Sequence, residues 1–245
     1  MHSQPSLTFT VSPQELSLNR SIDITIQEVC CLDYKKLIEA DNLYYHIEPR
    51  GLNYDGYMKR KNWDAWLSPS VPFGEVELLF GFIKSWDRFF QGDKDLFLEI
   101  YKEIFPLINR VRNDKIEETV FSDELATEIR RAFDRVADCT GGGRYESTDA
   151  SKILHTLVPG FFIMWDDKIK NETVQGGSNG AVYALKFLPK MQRELNEAIG
   201  SCMKHRQISR ADATRNICDA CHGNTLAKLV DEYNYVKYTK GHSEI

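Results

Sequence analysis

Apolar residues recur along this chain at three- and four-residue steps far more often than they alternate, and that rhythm predicts a helical protein. Leu32, Tyr34, Leu37, Ile38, Leu43 and Tyr44 follow a partly helical rhythm. In GEVELLFGFIKSWDRFF, residues Val76, Leu79, Phe80, Ile83, Trp86, Phe89 and Phe90 make one apolar face, which predicts a core helix. KDLFLEIYKEIFPLINRV continues the rhythm, but Pro106 removes a backbone donor and predicts a kink or an end there. SDELATEIRRAFDRVAD opens on Ser122 as an N-cap, carries Glu124 in its first turn and stops at three glycines. AVYALKFLPKMQRELNEAIGSCMKH reads as a helix bent or interrupted at Pro189. ISRADATRNICDACHGNTLAKLVDEYNYVKYTK adds one or two more, capped by Ser209 and broken at Gly223. By contrast, EPRGLNYDGYMKRKNWDAWLSPSVPFG is rich in turn formers and predicts a long surface loop anchored by aromatics. SIDITIQEV, within residues 1–30, alternates as a short strand or an extended arm would. The expected fold is all-α: a single mostly helical domain over residues 31–245, with room for two helical lobes meeting near residue 140.

Composition narrows the function classes only slightly. The chain has 245 residues, 42% hydrophobic and 27% charged, enough to bury a sizeable core. A net charge of −5 and a pI near 5.7 argue against a generally basic nucleic-acid coat, though a local basic face remains compatible. No apolar run approaches the roughly 18 residues of a membrane span. MHSQPSLTFTVSPQ has no basic segment followed by an apolar one, so the expectation is a cytoplasmic protein with no membrane partner. Neither a P-loop, a dinucleotide fingerprint nor a Ser-His-Asp order occurs.

The most informative stretch is GGGRYESTDASKILHTLVPGFFIMWDDKI, residues 141 to 169. Gly141, Gly142 and Gly143 can adopt positive φ and expose backbone N–H groups, and a glycine loop before a helix N-terminus suits an anion. Ser147 or Thr148 can cap a helix that turns Ala150, Ile153, Leu154 and Leu157 inward. Pro159 ends it, Phe161 to Trp165 bury the connector, and Asp166 can cap the next helix. This order resembles the helix-hairpin-helix core of the DNA glycosylase superfamily, with Ala150 as the small residue early in the helix and Asp166 as the Asp after the proline loop. The resemblance covers about thirty residues. It implies that the hairpin amides hold a DNA phosphate, while Asp166 stabilises positive charge on the sugar as a flipped base leaves. Thr148 stands near the place of the family's Schiff-base lysine, so lyase chemistry is not implied. SKILH followed by PGFFIMWD is also similar to uncharacterised bacterial and archaeal proteins with the same helix, proline and WD arrangement.

Two readings stay open for each candidate. Asp166 is a catalytic carboxylate or a helix cap, and His155 is a general base beside it or a core histidine. Gly141, Gly142, Gly143, Arg144 and Lys152 are nucleic-acid contacts or a plain interhelical turn. MKRKNWDAW places Lys59, Arg60, Lys61 and Trp63 for phosphate contact and base stacking, or on a solvated face with one anchored Trp. Cys202, His205, Cys218 and Cys221 have spacings that can close a tetrahedral zinc site, yet they also fit buried thiols on helices. The functional expectation is a DNA-binding module with base-excision activity through Asp166. The alternative is a non-catalytic helical protein acting through a protein-partner surface.

Overall fold

A computed structural model describes residues 32–245, and the arm or strand expected within residues 1–30 lies outside the described residues. Every named element among the described residues is helical, as the rhythm predicts. The helices are α1 (Tyr34–Ile47), α2 (Gly51–Arg60), α3 (Phe73–Trp86), α4 (Lys94–Val111), α5 (Asp123–Thr140), α6 (Ser147–Leu157), α7 (Asp167–Thr173), α8 (Gly180–Val182), α9 (Leu188–Arg206), α10 (Arg210–Asp219) and α11 (Leu226–Asn234). Wide π turns at Tyr183–Phe187 and Tyr235–Thr239 join α8 to α9 and extend α11. Residues Cys31–Ile245 form one compact unit, and α5 packs on both α4 and α6, on either side of residue 140. No helix among the described residues is long and apolar enough to cross a membrane.

Local chemistry explains the boundaries. Ser122 caps α5 by accepting the Leu125 N–H, and Ser209 caps α10 through Asp212 N. Pro159 stands just past α6, whose last carbonyls are closed by Val158. Three expectations are corrected. The segment read as a long loop contains α2, because Tyr54 and Tyr57, one turn apart, both bury against α3: Tyr57 stacks on Phe82 at 4.5 Å and Tyr54 on Trp86 at 5.7 Å. Pro106 neither ends nor breaks α4, since it lies on the exposed face, where water can take the carbonyl that proline leaves unbonded. The cap of α6 is Glu146, which accepts from Thr148 N, rather than Ser147 or Thr148.

The core is aromatic where the connector 161–165 crosses it. Phe161, Phe162, Ile163 and Trp165 are all buried. Trp165 meets Tyr183 at 5.0 Å and Phe133 at 5.6 Å, and Phe133 stacks on Tyr183 at 4.3 Å. The Tyr183 hydroxyl donates to Ile163 O at 2.7 Å and accepts from Ile163 N at 3.2 Å. Each such ring contributes about 1.5–3 kcal/mol by burial, so the connector is fixed before Asp166 is reached.

Candidate functional site

The fixed connector delivers Asp166 to the mouth of an open cleft of about 280 Å³. Its walls come from five regions of the chain: Tyr44, Glu48 and Arg50; Trp86 and Asp87; Thr148 and Lys152; Met164 to Asp166; and Asp231, Tyr235 and Thr239. Asp166 is the N-cap of α7, its Oδ1 accepting from Ile169 N at 2.8 Å. Its Oδ2 accepts the Thr239 hydroxyl at 2.5 Å, which ties the cleft to the π turn after α11. Behind it Ser151 Oγ accepts from Trp165 N at 3.1 Å, and the Trp165 indole N–H donates to Ser147 O.

The cations of the cleft are paired. Lys152 Nζ is 2.9 Å from Asp149 and 3.6 Å from Asp87. Burial pushes the Asp149 carboxyl up to about 6, against the pull of Lys152. Arg50 grips Glu48 with two bonds of 2.6 and 2.7 Å, and it also donates to Trp86 O while the Trp86 indole N–H donates to Arg50 O. Burial would raise the Glu48 carboxyl, but the bonds from Arg50 and Tyr235 outweigh it and bring it down to about 2. Under the floor, Lys228 is fully buried, 2.9 Å from Asp231 and 3.3 Å from Glu232, and its ammonium lies 4.6 Å from the Tyr44 ring centre. Glu48 is paired with Arg50 and lies 3.8 Å from Lys240, Asp87 meets Lys152 and Asp231 meets Lys228, which leaves Asp166 as the lining carboxylate without an ion pair among the described residues, beside aromatic faces. No protein-family model, curated protein or solved structure matches the chain.

The other predicted residues fall elsewhere. His155 is fully buried: Nδ1 lies 2.7 Å from Phe162 O and Nε2 lies 2.8 Å from the Tyr54 hydroxyl. A carbonyl only accepts, so Nδ1 carries the proton and Nε2 accepts from Tyr54. Burial, with Lys228 next, pushes this imidazole down to about 3, and it does not line the cleft. Within the hairpin, a Cβ on Gly141 would meet Arg144 O at 2.2 Å, and one on Gly142 (φ +60°) would meet Gln91 Oε1 at 2.5 Å. Gln91 N donates to Thr140 O, so one side of the glycine turn is covered by the 91–93 segment. Gly143 (φ +90°) and Arg144 stand open to solvent, outside the cleft lining.

The basic run splits. Lys59 and Arg60 are exposed, whereas Lys61 is buried, with Nζ bonded to Thr156 O and lying 3.9 Å over the Trp63 ring. Burial pushes Lys61 down to about 7. It is therefore not a surface phosphate contact, and Trp63 is partly covered by it. The zinc spacing does not become a site. Among the described residues no group of three or more His, Cys, Asp or Glu side chains is placed to hold a metal ion. Cys202 sits in the core face of α9, His205 bonds the Tyr34 hydroxyl, and Cys218 and Cys221 lie at the end of α10. Burial raises Cys202, and pushes Cys218 up to about 11 and Cys221 up to about 12, which keeps these sulfurs as thiols.

Sequence reasoning did not single out Glu48, Arg50, Trp86, Asp231, Tyr235 and Thr239 as site residues. Trp86 carries the periodicity of a core residue, and the others lie far from Asp166 in sequence, so no spacing signals them.

Proposed function

We infer that the protein binds nucleic acid and receives one unstacked base in the Asp166 cleft, where the carboxylate of Asp166, which no cation among the described residues neutralises, favours positive charge developing on the attached sugar. The observation that carries this reading is Asp166 itself, held by the fixed connector at the rim of a cleft whose aromatic wall includes Trp86. Base–aromatic stacking contributes about 1–3 kcal/mol per base, and carboxylates at short range in a partly desolvated cleft favour a cation strongly. Backbone phosphates would meet cations outside the acidic cleft, with Arg144 beside the exposed face of Gly143 as the nearest candidate from the hairpin.

A second reading rests on one specific observation: both Asp166 oxygens are engaged, by Ile169 N and by Thr239, as a purely structural cap requires. On that reading the protein acts through a surface that meets other proteins. Binding of single-stranded and duplex DNA at about 50 and 200 mM salt separates the two. The nucleic-acid reading expects salt-sensitive binding that Arg144→Ala weakens and Asp166→Asn leaves intact, with base release lost in Asp166→Asn. Absence of salt-sensitive binding by the folded protein retires it.

A further inference from the structure

A second place in the fold carries chemistry of its own. His222 lies in the turn between α10 and α11 with φ +49°, the left-handed region that strains a β-carbon-bearing residue, and Gly223 follows at φ +73°. That turn sets the imidazole against α1, with Nδ1 2.7 Å from Asp41 Oδ2. The Asp41 side chain is 0% exposed and the His222 side chain 50%. Asn224 Nδ2 approaches the other Asp41 oxygen at 3.4 Å, and the Tyr45 ring packs on the imidazole at 4.3 Å. An ionised carboxylate only accepts, so Nδ1 carries the proton and the lone pair of the neutral ring sits on Nε2. Nε2 has no partner among the described residues. The ring borders a cleft of about 290 Å³ whose wall includes Asp55, Lys59, Asn224 and Thr225, distinct from the Asp166 cleft.

This is the arrangement of a base and its orienting acid: a buried carboxylate behind, an exposed nitrogen in front, and a strained backbone holding them together. The charged and titratable groups around the imidazole are Asp41 and Tyr45 of α1, Tyr54, Asp55 and Lys59 of α2, and Glu232 of α11, which interacts with Asp41. Among the described residues the cleft wall carries one lysine, Lys59, and one carboxylate, Asp55, the latter bonded by the Tyr45 hydroxyl at 3.1 Å. With one fixed charge of each sign in its wall, the cleft has no cation cluster to hold a phosphate dianion and suits an uncharged acyl group.

We propose that Asp41 and His222 form a general-base dyad for hydrolysis of a small uncharged carboxylic ester in this second cleft. Nε2 takes a proton from water as the water oxygen bonds to the carbonyl carbon. The tetrahedral intermediate then expels the alcohol oxygen, which recovers the proton from the imidazolium, so one water is consumed and an acid and an alcohol are released. His222 is the catalytic residue, Asp41 is the positioning residue, and Lys59 is the cation the cleft wall offers to the carbonyl oxygen.

The test uses the full chain and p-nitrophenyl acetate. His222→Asn, which tolerates the left-handed backbone, lowers the rate at least about tenfold, while His46→Asn on the exposed side of α1 does not change it. Asp41→Asn lowers kcat about tenfold and leaves KM unchanged, because the imidazole loses the group that orients it while the cleft wall is intact. A parent rate no greater than that of equimolar free imidazole overturns the proposal, as does a His222→Asn protein with the parent rate. Long-range nitrogen–proton NMR of the unmutated chain adds a check independent of any variant: a proton on Nδ1 of neutral His222 is expected, and a proton on Nε2 overturns the assignment.

Discussion

Lys152 and Lys61 are both lysines with little exposed surface, and the two regions treat the charge in opposite ways. Lys152 opens on the Asp166 cleft between two carboxylates, Asp149 and Asp87. Lys61 is sealed under Trp63 and Trp66 with only the Thr156 carbonyl as a hydrogen-bond partner, and burial pulls it down to about 7. The opposed carboxylates make the first an ion pair at the edge of the cleft. In the second, rings and one dipole do not replace lost hydration, and the amine tends to neutrality. Nearby His155 follows the second pattern, satisfied on both nitrogens and closed to ligands. A cluster of functional-looking residues therefore becomes a site where charges are paired beside an opening, and becomes core where they are satisfied by backbone.

Three substitutions sharpen this contrast, measured by urea unfolding across pH. Lys152→Met has the largest expected effect, a loss of about 3 kcal/mol at pH 8, because it strands the buried Asp149 carboxylate beside Asp87. Lys152 holds the Asp149 carboxyl down to about 6, so in its absence the carboxyl protonates at higher pH, and the loss shrinks as pH falls from 8 toward about 6. An unchanged loss at pH 5 would mean that the ion pair is not its source. His155→Gln follows, with a loss of about 2 kcal/mol at pH 7 from broken bonds to Phe162 and Tyr54. The folded imidazole resists protonation, so the parent loses stability as pH falls from about 6.5 toward 3; the gap between the two proteins closes by about 2 kcal/mol between pH 7 and 5. A constant gap would place the proton elsewhere. Lys61→Met has the smallest effect at pH 7, within about 1 kcal/mol. Since the amine is depressed on folding, its contribution is present above about 10.5 and lost as pH falls toward 7, and the deficit of the variant grows as pH rises from 7 to 10. A deficit that narrows over that range would contradict the sealed setting.

The helices were legible where periodicity and capping agreed, as in α5; α3, read from periodicity alone, ends at Trp86, and Phe89, placed on its apolar face, is exposed beyond it. α2 was not, because Gly51, Asn53, Asp55 and Gly56 are turn formers and only the packing of Tyr54 and Tyr57 on α3 makes them helical. Tertiary packing overrode local propensity there. Within the Asp166 cleft, Thr148, Lys152 and Asp166 could be marked because they share one segment. Arg50, Trp86, Asp231 and Thr239 arrive through the packing of α1, α3 and α11, and no linear spacing encodes that meeting. The cysteine spacing misled for a related reason: helical periodicity turns Cys202 into the core, and Cys221 is buried beyond the end of α10.

The most direct test of the base-receiving cleft compares a duplex carrying one unpaired base with its fully matched counterpart, for the parent and for Trp86→Leu, by fluorescence anisotropy at one salt concentration. The account predicts that the parent prefers the unpaired base by about tenfold, the equivalent of about 1.4 kcal/mol of stacking, and that Trp86→Leu abolishes the preference while leaving matched-duplex binding unchanged. Equal affinity of the parent for both duplexes, or a preference that survives loss of Trp86, would contradict it.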